Sequence, residues 1–494
     1  MNQPKWVLDQ IVGKAEEAYS FMKKTTVKER MLFMQSVADS IEGLGQELID
    51  AAHEETALPH ARLVGEKGRT VGQWRAYSDA VGQGRYVEAC IDTKNTEKGK
   101  NDIRKCNIGI GPVLVFGASN FPFAFSTAGG DTASAIGAGC PVIIKAHPGH
   151  PRTSQLMADA ITKVVGVFGW PQGVFSHFVG EYIEGSDERT GSYLTAHPGI
   201  KAVGFTGSFR GGKALFDIAK QRSEPIPVFA EMGSINPVFA FTSALEQRAE
   251  ALAVEYVSSL TLDVGQFCTN PGVFIAVKGD GMDRFKIALT KTIEPLAPAT
   301  MLNKGIYEHY QKNKTLLHQQ AGVNVLAEAI DEGVEGQGRP KVLLVSAQVI
   351  LGNTVLSEEV FGPFGIVVEA ENYGEVYDFA RQLKGQLTAT LAATEDDLNA
   401  HLDIVDCLKD KAGRLLFNGM PTGVEVVNAM QHGGPFPAST DIRFTSVGPD
   451  AIKRFVRPIS FQNWPEQMLP DELKDSNPLH ILRIVDGQNT PQPL

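Results

Sequence analysis

The sequence predicts an α/β protein with a doubly wound parallel sheet and a second α/β unit behind it. Three observations carry that expectation. Strand-like apolar runs alternate with helical stretches at roughly 20–30-residue spacing between Gly111 and Phe205, as in successive βαβ units. Gly111–Gly117, the first of them, is a short apolar run of the kind buried in parallel sheets. A further series opens at Asn236–Phe241 and continues to Gly413–Phe417. A chain of 494 residues, 43% hydrophobic and 21% charged, is long enough for two or three packed domains.

Taken in order, residues 6–80 repeat apolar positions at three and four with charges between them, a helical pattern clearest over Val27–Ile49. Asp92–Lys105 is rich in Lys, Asn and Asp between strand-like flanks and reads as an exposed hairpin arm. After the Gly111–Gly117 strand come a loop at Ala118–Pro122, a small-residue helix over Ala128–Gly139 and a strand, Pro141–Lys145. Thr153–Val165 predicts a helix, Val174–Val179 a strand, Asp187–Ala196 a helix and Ala202–Phe205 a strand. The glycine-rich turn Thr206–Gly212 then opens a helix, Lys213–Lys220, and such a turn at a helix N-terminus is where phosphates are held. It is not G-x-G-x-x-G, so the standard dinucleotide fingerprint is absent. Pro227–Ala230 is strand-like, Glu250–Leu262 helical and Val273–Val277 a strand. A long helical region is expected over Asp283–Leu326, followed by strands at Lys341–Val345 and Phe364–Val368. Asn372–Arg381 reads as a helix and Leu387–Ala393 as a strand. A Gly/Pro-rich segment, Asn418–Pro437, precedes a tail whose Ile481–Val485 alternates enough to pair with a sheet edge.

The formal charge of −11 is spread without long blocks of one sign, which argues against a nucleic-acid partner. Five cysteines, odd in number and widely spaced, form no C-x-x-C or Cys/His cluster, so neither a metal site nor a disulfide framework is expected. The N-terminus carries no signal pattern. The longest apolar stretch, Ile108–Phe125, is broken by Gly, Pro and Asn, so no membrane association and a cytoplasmic location are expected.

Candidate chemistry centres on Cys268, within Val264–Val273 on a tight loop between a helix and a strand. A lone cysteine is commonly a buried structural residue, and that reading stands beside the nucleophilic one. A thiolate adds readily to an aldehyde carbon, and the charge that develops on oxygen needs preorganised donors. Asn120, beyond a buried strand and held by Pro122, can supply one, or can be a turn residue bonding its own backbone. Glu231, ending a strand-like run before Gly233, can take a proton from water, or can be a capping or salt-bridged residue. Arg69 and Gln73 share a helix face at i and i+4, either a solvated face or a pair reaching a substrate. A Cys–His hydrolase pair finds no supporting spacing, and His147 and His432 read as structural or cofactor-side residues.

The set Phe116–Pro122 (F-G-A-S-N-F-P), Lys145, Phe205–Ser208, Glu231–Gly233, Gly265–Cys268 and Glu359–Pro363 resembles the aldehyde dehydrogenase superfamily in order and kind. The resemblance implies a variant Rossmann cofactor domain over 1–90 and 108–233, an α/β catalytic domain over 234–437, and a β oligomerisation arm and tail over 91–107 and 438–494. It implies Cys268 as nucleophile, Asn120 as oxyanion donor and Glu231 as general base. Lys145 would contact the adenosine ribose, Gly207, Ser208 and Gly212 would lie at the pyrophosphate, and Glu359 and Phe361 at the nicotinamide ribose and ring. Where the family's usual pattern has Pro and then Glu after the lysine, this chain reads Lys145-Ala-His-Pro148. Without a carboxylate at Pro148 to repel a 2′-phosphate, and with Lys145, His147 and Arg189 nearby, NADP is expected over NAD. These variants most resemble the branch of 2-oxoglutarate semialdehyde (2,5-dioxopentanoate) dehydrogenases and the related bacterial NADP-dependent fatty aldehyde dehydrogenase. On that resemblance the substrate is 2,5-dioxopentanoate, or alternatively a long-chain fatty aldehyde, with Arg69, Gln73 and Phe121 on the substrate side. A coenzyme A-acylating enzyme and a non-catalytic binding protein are the remaining alternatives, and a homodimer or homotetramer is expected.

Overall fold

The computed structural model describes residues 2–494. The N-terminal helical stretch resolves into four helices, Lys5–Met22, Val27–Glu42, Gln46–Thr56 and His60–Gly82. A reciprocal cap starts the second: the Thr26 hydroxyl accepts from the Glu29 N–H while the Glu29 carboxylate accepts from the Thr26 N–H. The apolar faces bury Phe33, Trp74 and Tyr77 in one core with Val113, Val115, Val142 and Ile144 of the first sheet.

That sheet has five parallel strands, side by side as Phe175–Phe178, Val142–Lys145, Val113–Phe116, Ala202–Thr206 and Val228–Glu231. In chain order this is 3-2-1-4-5, a doubly wound arrangement whose ligand crevice opens where the winding reverses, beyond the carboxyl ends of Val113–Phe116 and Ala202–Thr206. Lys145, the 117–122 loop, the 206–212 turn and Glu231 all leave the sheet at that end. The helix after the turn begins at Phe209, not Lys213, because the Ser208 hydroxyl caps it by accepting from the Gly211 N–H at 3.3 Å.

The second sheet has seven strands, in the order Asn324–Glu328, Lys341–Ser346, Phe364–Ala370, Val273–Val277, Val238–Ala240, Gln386–Ala392 and Ala412–Phe417. Neighbours run parallel except the edge pair Asn324–Glu328 and Lys341–Ser346. The long helical region expected over Asp283–Leu326 is instead two helices, Asp280–Ile293 and Lys304–His318, ending in a strand. Pro295 and Pro298 lack the N–H a helix needs, and the Asn303 side chain accepts from the Ile306 N–H to start the second helix afresh.

A third sheet orders Val456–Gln462, Ile103–Gly109, Cys90–Asp92, Arg483–Val485 and Gln488–Thr490. Cys90–Asp92 and Ile103–Gly109 form the expected antiparallel hairpin, and the tail strand adds to it in parallel. The Arg104 guanidinium ties the arm to the tail through Asp102, Glu466 and Asp475. Residues 438–447, assigned from sequence to the tail, pack instead on the first sheet. Thr440 bonds Ala230 and Val228, and the Met232 N–H donates to the Ala438 carbonyl at 2.8 Å. Among the described residues no helix is long and apolar enough to cross a membrane.

Candidate active site

The loop carrying Cys268 leaves the helix Thr242–Thr261 through two residues in the left-handed region, Asp263 at φ 45° and Val264 at φ 59°. That conformation costs a β-branched residue energy, so the loop must be held from outside. Arg62 donates from Nε to the Asp263 carboxylate at 2.6 Å, and Gln266 bonds both the Asp263 carbonyl (3.0 Å) and the Leu302 N–H (3.0 Å). Gly265, at φ 65°, lies so close to the Gly362 carbonyl that a β-carbon there would overlap it. Buried Asn236 donates from Nδ2 to the carbonyls of Cys268 (2.8 Å) and Asn270 (2.9 Å), fixing the backbone that leads out from the thiol.

Cys268 itself is half-buried, and its Sγ lies 3.6 Å from Nε2 of His432. The same Nε2 is 2.9 Å from Oε1 of Glu231, out of line for a hydrogen bond, while the Ser446 hydroxyl donates to Oε2. His432 and Glu231 are 1% and 4% exposed, and the reactive atoms of the trio lie within 4.8 Å of one another. Burial pushes the Cys268 thiol well above its ordinary pKa, and the Glu231 and Glu359 carboxylates push it further. Burial alone would also raise Glu231. The adjacent His432 ring and the hydrogen bond from Ser446 outweigh it and leave that carboxyl below its usual range. A protonated thiol therefore faces an ionised carboxylate with an imidazole between them. The Asn120 amide donates to the Gln266 carbonyl at 3.0 Å, two residues before the thiol, so the structure brings Asn120, Glu231 and Cys268 to one place.

The sequence reads His432 as structural or cofactor-side; the structure puts its ring beside the Cys268 sulfur and the Glu231 carboxylate. Nothing local marks it, since it lies 164 residues from Cys268, on a backbone held by Thr445 and Ser446. Ser446, Asn236 and Arg414 were likewise missed.

On the sheet side, Lys145 ends its strand with its pKa lowered, first by burial and then by Arg189. Arg189 is exposed and stacks over Tyr182 at 5.2 Å, and Pro148 is exposed. His147 accepts the Gly149 N–H on Nδ1 and is driven down to about 3 by burial, so it offers a neutral ring N–H rather than a cation. Gly207 donates to the Glu231 carbonyl at 3.1 Å, and Ser208 caps the adjoining helix. Gly212 turns toward the sheet, where a β-carbon would meet the Met232 sulfur at 2.7 Å. Its glycine serves close helix–strand packing, not the crevice. Glu359 lies over Gly233, where any β-carbon would overlap its carboxylate, and burial pushes Glu359 up to about 8. Phe361 and Glu359 line one cavity with Ser234, Phe267 and Asn270.

On the opposite side Phe121 packs edge-to-face on Phe125 (5.2 Å) and Phe267 (5.5 Å). The Arg69 guanidinium lies 5.0 Å above Phe125, whose ring is 6.2 Å from that of His432. Arg69 donates from Nη2 to the Val424 carbonyl at 3.3 Å, but its buried Nη1 has no partner. Gln73, 1% exposed, has neither amide atom bonded and sits against Gly130.

A 3-2-1-4-5 nucleotide-type sheet, ending in the Glu231 carboxylate, thus faces across its crevice a cysteine carried by a second α/β unit. The profile of the Aldehyde dehydrogenase family matches residues 5–455, and the chain belongs to that family. It is 46% identical over 477 residues, 96% of this chain and 90% of the relative, to alpha-ketoglutaric semialdehyde dehydrogenase 2 of Azospirillum brasilense. To the alpha-ketoglutaric semialdehyde dehydrogenase of Acinetobacter baylyi (strain ATCC 33305 / BD413 / ADP1) it is 45% identical over 487 residues, 97% and 91% of the two chains. Its fold is shared by NADP-dependent glyceraldehyde-3-phosphate dehydrogenase from Bacillus halodurans C-125 complexed with NADP. The TM-score is 0.77 at 19% identity, over 93% of this chain and 92% of that one.

Proposed function

We propose that the protein oxidises 2,5-dioxopentanoate to 2-oxoglutarate with NADP as preferred acceptor, through a covalent adduct on Cys268. The observation that carries this reading is the convergence of the Cys268 thiol, the His432 imidazole and the Glu231 carboxylate at the edge of the crevice. The substrate follows the names of the two relatives at 45–46% identity over nearly the whole chain. The residues present suit a dinucleotide: a capped helix N-terminus at Ser208, Lys145 without an ion pair among the described residues, and a cradle under Glu359 that only glycine at 233 leaves open. NADP is favoured because Pro148 brings no carboxylate to a corner that holds Lys145 and Arg189.

His432, with its own proton on Nδ1, accepts the Cys268 proton on Nε2 as the sulfur attacks the aldehyde carbon, giving a thiohemiacetal. Its oxyanion is met by the second N–H of the Asn120 amide, the first being spent on Gln266, and by the Cys268 N–H, which lies against its own sulfur. A nicotinamide dinucleotide, which Lys145, Ser208 and Glu359 would hold, would supply the hydride acceptor, and the oxidised carbon would stay on Cys268 as a thioester. Glu231, held ionised by His432 and Ser446, then takes a proton from the water that hydrolyses it. That ionised carboxylate favours hydrolysis over transfer to coenzyme A. The five free cysteines suit a reducing, cytoplasmic compartment. The edge strand Val456–Gln462, with exposed Trp464 and Met468 beside it, supports assembly into a homodimer or homotetramer through the arm. The test is kcat/KM for 2,5-dioxopentanoate, pentanal and a long-chain aldehyde with each cofactor, with and without coenzyme A. Highest efficiency for the oxo acid with NADP, and no acyl-CoA, is expected. A fatty aldehyde outranking the oxo acid would overturn the substrate, and acyl-CoA formation would overturn the hydrolytic role of Glu231.

A further inference from the structure

Arg414, on the edge strand Ala412–Phe417, was not singled out by the sequence. Its Nη2 donates to the Pro421 carbonyl at 2.8 Å, and both Nη1 and Nη2 reach the Gly423 carbonyl at 3.2 Å. Arg69 reaches the next carbonyl along, that of Val424. One short loop therefore holds two guanidinium groups, from opposite ends of the sequence, side by side. Each is left with one buried N–H unbonded, Nη1 of Arg69 and Nε of Arg414. Among the described residues neither forms an ion pair, although Arg62 nearby has Glu66 and Asp263, and Arg454 has Asp131. Both are partly withdrawn from water, and a charge so placed without a counter-ion is costly. Arg69 lies 5.0 Å over Phe125, whose ring is 6.2 Å from that of His432. Arg414 Nη1 is 3.9 Å from the sulfur of Met430, two residues before His432, which sets the pair on the reaction-centre side of the loop.

We propose that Arg69 and Arg414 form a two-guanidinium subsite for the carboxylate at the far end of the aldehyde substrate, with Arg414 as an arm that determines specificity. A 2-oxo acid with its aldehyde at carbon 5 has four bonds of about 1.5 Å between the carbon attacked by sulfur and the carboxylate carbon, about 5 Å in zigzag. A carboxylate arriving there takes the two free N–H groups without displacing the loop carbonyls, and supplies the missing counter-charge. An aldehyde without a carboxylate leaves both charges unpaired, which is discrimination by an unpaired buried group.

The inference rests on the aldehyde-oxidising reading above, and pentanal turnover by the wild-type enzyme tests that reading by itself. Arg414→Met removes the charge and keeps much of the packing volume. Loss of one charge-assisted donor pair is expected to lower kcat/KM for 2,5-dioxopentanoate by about 30- to 100-fold while pentanal changes less than about threefold. Competitive inhibition of pentanal oxidation by 2-oxoglutarate should weaken by about tenfold or more in the same variant. Because the two arginines act on one group, the Arg69→Met/Arg414→Met double variant should lose less than the product of the single losses. Arg414→Lys keeps the charge without the planar fork and gives the same selective loss in smaller measure, should the Met variant fold poorly. Equal losses on both aldehydes, or an unchanged preference for the oxo acid in a folded Met or Lys variant, would overturn the subsite.

Discussion

Replacing His432 by Gln tests whether the imidazole moves a proton or merely fills space. Glutamine retains an amide that can donate toward Glu231, where Nε2 now stands 2.9 Å from the carboxylate, but it cannot accept and hold the thiol proton. A cysteine with an ordinary pKa of about 8.5 is roughly 10% ionised at pH 7.5. Cys268 is less ionised than that, because burial and the Glu231 carboxylate hold its proton on. Attack therefore depends on a base within reach, and the His432 Nε2 is 3.6 Å away. Positioned proton transfer contributes about 10²–10⁴-fold, and Glu231 remains close enough to act in part, so the lower end applies: about 100-fold loss of kcat, with KM for aldehyde within about threefold. The assay is stopped-flow NADPH formation over pH 6–9.5, paired with iodoacetamide alkylation of Cys268. The variant's burst should slow and recover as pH rises toward the thiol's own pKa, and alkylation at pH 7.5 should slow in parallel. A burst rate within about threefold of wild type at pH 7.5 would refute the reasoning and return His432 to a packing role.

The other expectations separate the steps. Glu231→Gln cannot take a proton from water, so steady-state turnover should fall by about 10³-fold while one equivalent of NADPH still appears in the burst; loss of the burst would mean that Glu231 is needed before hydride loss. Gly233→Ala places a β-carbon against the Glu359 carboxylate, and titration of NADP binding should show KM rising at least about tenfold with kcat less affected. Glu359, pushed up to about 8 by burial, keeps a proton in the folded protein that the unfolded chain releases near its ordinary value of 4.5. Its contribution to stability is complete below that value and fades as pH rises to about 8. At about 1.36 kcal/mol per tenfold, the full interval bounds the loss at about 5 kcal/mol. Melting curves should show Glu359→Gln gaining on the wild type between pH 5 and 8 and holding a constant margin above that.

What the sequence could disclose was whatever is written within a few neighbouring residues. Alternating apolar runs and helices announced the first sheet, because each βαβ unit is local and its strands need only be apolar. Cys268 stood out through the glycine before it and the Pro271-Gly272 after it, and Glu231 through its place at the end of an apolar strand. Errors arose where a short-range pattern was overruled. Asp283–Leu326 kept helical periodicity through Pro295 and Pro298, and the helix after the glycine turn began four residues early once Ser208 found the Gly211 N–H. Residues 438–447 resembled a tail, yet Thr440 bonds the first sheet. His432 and Arg414 could not have been recognised from their surroundings. Each reaches the thiol's neighbourhood only because the chain returns there after a further sheet has been built, and no spacing rule records such a return.

The charges around the thiol also explain why the two halves of the site differ. Glu231 stands beside Cys268 and keeps it protonated, while Arg69 and Arg414 meet at the carbonyls of residues 421–424 without counter-ions among the described residues. In the unliganded protein neither half is satisfied. The carboxylate suppresses a thiolate that would otherwise be open to oxidation, and the guanidinium groups hold a loop for want of an anion. On the proposed subsite, an incoming carboxylate would settle the second imbalance and bring its aldehyde within reach of the sulfur. Binding energy gained at a carboxylate several bonds from the reacting carbon is thereby spent on orienting that carbon. An enzyme arranged in this way should discriminate among aldehydes chiefly by the group farthest from the chemistry.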